Sequence, residues 1–192
     1  MIDLFLVRHG PTHAHGMVGW TDLPADLSDL PAIERLRAHL PADAPVISSD
    51  LLRASATADA LAGGRRRLPH DPALREMHFG GWELQSHADL QRSDPERARA
   101  FRQDPTGVRP PGGETWSEAC ARMDGAIDRL ARAHAGGAVI VVAHFGVVLS
   151  QLRRATHLPE DSLFAHRIDP LSVTELRWTG RAWQAVAVNH VP

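Results

Sequence analysis

Residues 2–16 read IDLFLVRHGPTHAHG. Positions 2–7 are apolar or β-branched apart from Asp3, the pattern of a strand covered on both faces of a sheet. The run delivers Arg8 and then three histidines, His9, His13 and His15. A second run of the same character, AVIVVA at 138–143, delivers His144, Phe145 and Gly146. An open α/β sheet presents its ligand site at the carboxyl ends of its strands. Two buried strands are therefore expected to carry a histidine each to one crevice.

The remaining pattern extends this frame. Residues 45–48 (PVIS) give a third short buried strand, and 173–178 with 183–188, separated by a turn around Gly180, read as a late hairpin. Ile33, Leu36 and Leu40 share one face of a helix over 31–40, and an Ala-rich helix over 52–62 stops at Gly63-Gly64. The strongest amphipathic pattern, 114–134, places Trp116, Ala119, Cys120, Met123, Ile127 and Leu130 on one stripe, so Cys120 reads as a core residue and not a nucleophile. Strands alternating with helices predict a layered α/β domain with a mixed sheet. Residues 69–113 are rich in Pro, Gly, Arg and Asp, with short helical patterns at 86–91 and 96–102. They read as an excursion over one edge of the sheet, of the kind that shapes a substrate mouth. No repeat or linker divides the chain, so 1–192 is expected to be a single domain.

Composition narrows the function classes. The 192 residues carry a formal net charge of -2, which gives no reason to expect nucleic acid or an anionic membrane as partner. All 21 basic residues are Arg, and the missing Lys excludes a standard P-loop. No G-x-S-x-G occurs, so a serine-hydrolase elbow is absent. The single cysteine excludes an internal disulfide and suits a reducing compartment. The first strand begins without a basic leader, and the most apolar stretch, 138–149, is too short to span a bilayer. A cytoplasmic protein is expected. The Arg65-Arg66-Arg67 run reads as a solvated loop.

The histidine cluster could suggest a metal, but Arg8 adjoins the first histidine and no carboxylate lies between Arg8 and Asp22. A converging ligand set is not expected, nor is any cofactor. An anion pocket explains more. The helix after PVIS places Arg53 in its first turn, so Arg8, His9, Arg53 and His144 can converge on one point. Two Arg forks and two imidazoles suit a dianionic phosphoryl group.

Several blocks carry a resemblance. They are Arg8-His9-Gly10 followed by Thr12, the segment SSDLLRA at 48–54 with Thr57, Leu74-Arg75-Glu76 leading into Phe79-Gly80-Gly81-Trp82-Glu83, Pro111-Gly112-Gly113-Glu114, and Val142-Ala143-His144. In that order they resemble the histidine phosphatase superfamily, also called the phosphoglycerate mutase-like family. The resemblance implies an α/β three-layer sandwich, a mostly parallel central sheet flanked by helices, and metal-independent hydrolysis of a phosphate monoester through a phosphohistidine. It implies His9 as nucleophile, with its attacking nitrogen bare and the other donating to a carbonyl. It further implies Arg8, Arg53 and His144 on the phosphoryl oxygens, and Glu76 as proton donor. Should Glu76 not transfer the proton, Glu83 and His78 are the next candidates in the sequence.

The family pattern is not matched everywhere. Pro11 replaces a usual Glu, His15 stands at a usual Asn position, where it could donate to phosphate, and Phe145 replaces a frequent Gly, offering its backbone N–H and an apolar wall. His13 is expected to face solvent, and Gly10 to permit a tight turn. The expected partner is a small phosphorylated metabolite, with a homodimer left open. A phosphoglycerate mutase-type phosphotransferase, a protein phosphohistidine phosphatase and a catalytically silent phosphate-binding module are the alternatives. α-Ribazole phosphate, a sugar phosphate and a phosphoglycerate all stay open as substrate.

Overall fold

The computed structural model of the protein describes residues 1–104, 106–156 and 165–192. Its frame is a five-stranded sheet built from β1 (Ile2–Arg8), β2 (Val46–Ser48), β3 (Ala138–Ala143), β4 (Val173–Trp178) and β5 (Trp183–His190), in the order β2-β3-β1-β4-β5. β1 and β2 both run parallel to β3, while β4 is antiparallel to β1 and to β5. The sheet is therefore mixed, with only β4 reversed.

Alternation along the central strands divides the core into two layers. Leu4, Leu6, Val139 and Val141 face one side, where α5 (Trp116–Ala133) contributes Met123 and Ile127. Val7, Ile140 and Val142 face the other, against Ile33 and Leu36 of α1 (Leu30–His39) and Leu61 of α2 (Leu52–Ala62). This period-two split of two nearly continuous apolar strands is what makes a three-layer sandwich. Cys120 sits in the first of these layers. α5 is nucleated by a capping box in which the Thr115 hydroxyl accepts the Glu118 amide and Glu118 accepts the Thr115 amide. α2 ends at Gly63, whose φ of 53° lies in the left-handed region.

A further long helix was not legible in the pattern. α6 (Phe145–Thr156) starts one residue after β3 ends and packs against α5 below the sheet. Residues Gly146 to Leu152 are all buried. The polar residues of the helix fall from Ser150 onward, while Val147-Val148 continue the β-branched texture of the strand before it, so the start of the helix reads as more strand.

The excursion holds two short helices, α3 (His87–Ser93) and α4 (Pro95–Gln103), which pack on each other. The arginine run is more than a solvated loop. Arg65 donates to the carbonyls of Arg37, Leu40, Pro41 and Leu61, and so satisfies the open ends of α1 and α2, while Arg66 is exposed. Among the described residues no helix is long and apolar enough to cross a membrane.

Candidate active site

Parallel pairing sets the centre of the site. Arg8 lies opposite Ala143, and the His9 amide donates to the Ala143 carbonyl at 3.0 Å, so the strand ends of β1 and β3 present His9 and His144 together. Their rings meet edge to face with centroids 5.1 Å apart.

The His9 ring is held in one tautomer. Its Nδ1 lies 2.7 Å from the Gly10 carbonyl oxygen, which can only accept, so Nδ1 carries the proton. Arg53 Nε donates to His9 Nε2 at 3.2 Å, which requires a lone pair there. Burial, reinforced by the positive charges of Arg53 and Arg8, drives the His9 pKa down to about 3. The result is a neutral imidazole whose Nε2 lone pair faces the Arg53 guanidinium, with the Arg8 charge also acting on the ring. Gly10 serves by close approach and not by a left-handed turn, because a Cβ there would lie 2.7 Å from Leu27 Cδ2 and Gly10 is absent from the positive-φ residues. Its amide donates to Thr57 Oγ1 at 3.0 Å.

Arg53 is 1% exposed and reaches inward from the first turn of α2. Its Nη1 and Nη2 donate to the carbonyls of Thr21 at 2.9 Å and Gly19 at 2.6 Å. Those carbonyls point at Arg53 because Glu83 holds the other side of the loop. The Glu83 carboxylate accepts the amides of Gly19, Trp20 and Thr21, together with the Thr21 hydroxyl and the Phe79 amide. Those bonds outweigh its partial burial and hold its pKa below the usual range, so Glu83 is an ionised structural acceptor and a poor acid.

Glu76 is buried, not an ordinary exposed carboxylate of a polar loop. Its Oε1 accepts the Met77 amide and its Oε2 the Gly146 amide, both at 2.9 Å, placing the carboxyl at the first turn of α6. Its main-chain carbonyl is gripped by Trp20 Nε1 at 2.8 Å and Arg122 Nη2 at 3.1 Å. Burial raises its pKa despite those two amides and the nearby Arg53 and Arg8 charges. A carboxyl kept protonated to higher pH than usual is suited to donating a proton. His78, in contrast, stacks on Trp20 at 4.6 Å between ring centroids.

Arg8 Nη1 donates to the Ile168 carbonyl at 2.6 Å, and its guanidinium lies 5.7 Å from the centre of the Phe145 ring. Among the described residues its Nε has no hydrogen-bond partner although it is buried, and the same holds for Nδ1 of the fully buried His144. His144 Nε2 pairs with Ser49 Oγ at 2.7 Å, and burial beside His9 and Arg53 pushes the His144 pKa well down.

A cavity of about 420 Å³ opens beside Glu76, Phe145 and Gly146 and is walled by the excursion. A larger shallow groove of about 650 Å³, between Glu34 and Arg65, contains none of these side chains.

Five expected residues, Arg8, His9, Arg53, Glu76 and His144, thus converge through contacts or mutual electrostatics. His15 is exposed, and among the described residues no hydrogen bond ties it to the others. His13 is exposed as expected and pairs with Asp26 at 2.8 Å. Sequence reasoning missed the 19–21 loop, the grip of Arg122 on Glu76 and the Ser49–His144 contact. Ser49 and Glu83 stood inside recognised blocks, but nothing in the spacing of Arg122 or Trp20 announced a role.

The model of the histidine phosphatase superfamily, branch 1, matches residues 4–191. The chain belongs to that superfamily. It is 32% identical over 173 residues to the adenosylcobalamin/alpha-ribazole phosphatase of Salmonella typhimurium, covering 86% of this chain and 85% of that protein. Among solved structures it resembles Bacillus stearothermophilus YhfR, with a TM-score of 0.90 and 29% identity over 100% of this chain and 98% of the other. It also resembles a mycobacterial glucosyl-3-phosphoglycerate phosphatase complexed with VO3, with a TM-score of 0.80 and 28% identity, covering 97% and 98% of the two chains. The sandwich expected from the sequence is the fold these relatives share.

Proposed function

We propose that this phosphomonoesterase hydrolyses its small-molecule substrate through a phosphohistidine on His9, without a metal. The observation that carries the reading is the His9 ring, with Nδ1–H bound to a carbonyl and a bare Nε2 facing Arg53. The Nε2 lone pair attacks phosphorus, and the bond from phosphorus to the ester oxygen breaks on the opposite side. Glu76 gives its proton to the departing oxygen. Glu76, now a carboxylate, then takes a proton from water as the water oxygen attacks the phosphohistidine. The P–N bond breaks and His9 returns neutral.

Arg8 and Arg53 neutralise the equatorial oxygens, supplying the positioning and charge on which phosphoryl transfer depends. His144 has a defined part. In this reading Ser49 Oγ, which accepts the Leu51 amide at 3.3 Å, donates its hydroxyl proton to His144 Nε2. Nδ1 then carries the ring proton and is a donor for a phosphoryl oxygen. His15 and the Phe145 amide complete the phosphate contacts in this reading. Residues 69–113 act as the cover of the substrate mouth, within one domain spanning 1–192, and the compartment is the cytoplasm.

Phosphatase is favoured over protein phosphohistidine phosphatase by a buried acid at Glu76 joined to a cavity of small-molecule size. α-Ribazole phosphate is one candidate substrate, in keeping with the Salmonella relative. Mass spectrometry of a rapidly quenched reaction tests the mechanism. An acid-labile phosphate on His9 supports it, and the same label on His144 or His15 refutes the assignment.

A further inference from the structure

The cavity beside Glu76 says what kind of alcohol the enzyme releases. We infer that it is a leaving-group subsite for uncharged alcohols bearing an aromatic or similarly large apolar group, and that it turns away phosphate esters of carboxylic acids such as phosphoglycerates. This rests on the phosphatase reading, because it takes Glu76 as the group that protonates the departing oxygen.

Geometry fixes which side of the substrate enters. Displacement is in line, so the alcohol departs on the face away from His9 and toward its proton donor. Glu76 and Gly146 line the cavity, while His9, Arg8 and Arg53 do not. The phosphoryl group therefore stays with the guanidinium groups and the carbon skeleton of the alcohol extends into the 420 Å³ space.

The lining chooses the chemistry. Phe79, Trp82, Trp116, Phe101 and Phe145 form aromatic walls, with Met77 beneath them. Trp82 and Phe101 meet edge to face at 5.3 Å, so α4 and the turn that carries Trp82 are packed as one wall. Offset and edge-on contacts of this kind suit a planar ring, and the methionine sulfur adapts to its outline. His87, Gln91 and Gln103 stand exposed where the cavity opens, able to meet polar substituents at the far end.

Charge excludes the alternative. Among the described residues no arginine lines the cavity, and the titratable side chains that do are Glu76 and His87. A carboxylate on the alcohol would lose its hydration among aromatic walls, close to a carboxyl group, with no fixed cation among the described lining residues to meet it. Arg8 lies across the Phe145 ring from this space, committed to Ile168 and the phosphoryl side.

The experiment compares esters whose leaving alkoxides are of similar basicity, so that ring burial and charge are the variables. With purified full-length protein, 2-(2-naphthyl)ethyl phosphate is expected to exceed ethyl phosphate in kcat/KM by roughly 10²-fold, the scale of burying one aromatic face, and 3-phosphoglycerate should fall below ethyl phosphate. Phe101→Ala should lower the naphthylethyl-to-ethyl ratio roughly tenfold, a ratio that cancels any loss of folded enzyme. A second readout needs no catalysis: 2-naphthylethanol should change the tryptophan fluorescence saturably, with Trp82 and Trp116 in the wall, and more weakly in Phe101→Ala. Equal rates for the naphthylethyl and ethyl esters, or a preference for 3-phosphoglycerate, overturn the subsite while leaving the phosphatase reading intact. Hydrolysis of none of the esters, with saturable naphthylethanol binding, overturns the phosphatase reading and leaves an aryl-binding cavity. Absence of both sinks the two together.

Discussion

Gly146 and Glu76 are fitted to each other at the start of α6. The Gly146 amide donates to Glu76 Oε2 at 2.9 Å, and a Cβ on Gly146 would stand 2.1 Å from Oε1. The helix that follows His144 thus supplies both a donor and the space for the acid, and the carboxyl cannot keep its place if that space is filled.

Gly146→Ala should therefore displace the Glu76 carboxyl without touching the nucleophile. Overpacking a site of this kind costs about 1–3 kcal/mol, readable by urea denaturation. Turnover of alkyl phosphates should fall more than turnover of p-nitrophenyl phosphate, because only the alkoxide needs the displaced acid. An unchanged ratio of the two rates would show that the carboxyl tolerates the shift.

Removing the proton itself is a sharper change. A positioned acid–base group contributes about 10²- to 10⁴-fold, so Glu76→Gln should lose that much in the phosphorylation step with alkyl phosphates. p-Nitrophenolate leaves unaided, so its phosphorylation step should suffer far less. Hydrolysis of the phosphohistidine, which also lacks its base, then becomes slow, and stopped flow should record a burst of p-nitrophenol before a reduced steady rate. Equal pre-steady-state losses for both esters would mean that Glu76 only shapes the pocket.

Glu83 acts at one remove, through the loop whose carbonyls hold Arg53. Glu83→Gln sets an NH2 group against backbone donors and should let that loop move. A displacement near 1 Å costs on the order of 10²-fold. The loss should fall alike on alkyl and aryl esters in pre-steady-state measurements, since Arg53 serves the phosphoryl group and not the leaving group. A loss confined to alkyl esters would instead make Glu83 the acid.

The contrast between these residues explains how far the sequence could be read. β1 and β3 were legible because a strand covered on both faces leaves an unbroken apolar run, and their histidines follow directly from where such strands end. α6 was hidden because its first residues, Phe145 to Leu149, prolong the apolar run of β3 with only His144 between. Arg53 could be placed because one short strand precedes it. The bonds from Glu83 to the 19–21 loop, and from Arg122 to the Glu76 carbonyl, join segments separated by about sixty and about fifty positions. Such long-range pairs between irregular segments carry no local signal. The cavity likewise draws its walls from several short elements at once.

The anion pocket predicts indifference to chelators. Arg53 lies 3.2 Å from Nε2 of His9, the proposed attacking nitrogen, and Arg8 adds a second positive charge to the same pocket, where a divalent cation would be repelled and a phosphoryl group drawn in. Activity toward p-nitrophenyl phosphate should be unchanged after dialysis against EDTA. Loss of activity that zinc or manganese restores would replace the anion pocket with a metal centre.

Keeping His9 neutral inside the protein also leaves a mark on stability. Its folded pKa is about 3, against an ordinary histidine value of 6.5. Between those limits the unfolded chain binds a proton that the folded chain refuses, so stability falls as pH drops through the window and is fully present above 6.5. At pH 4.5 the displacement is about two pH units, equivalent to about 2 to 3 kcal/mol for His9 alone, and His144 shifts in the same direction. Replacing His9 with Gln removes the titration while keeping a polar side chain in the site. The variant's own stability at pH 7 is immaterial, because the comparison is the difference between pH 7 and pH 4.5 within each protein. Urea denaturation should show that difference to be smaller in His9→Gln than in the parent protein by about 2 kcal/mol. If the two proteins lose the same stability over that interval, His9 takes up its proton in the folded state, Nε2 is not bare at acid pH, and rates measured at pH 4.5 should collapse through loss of the nucleophile and not through unfolding.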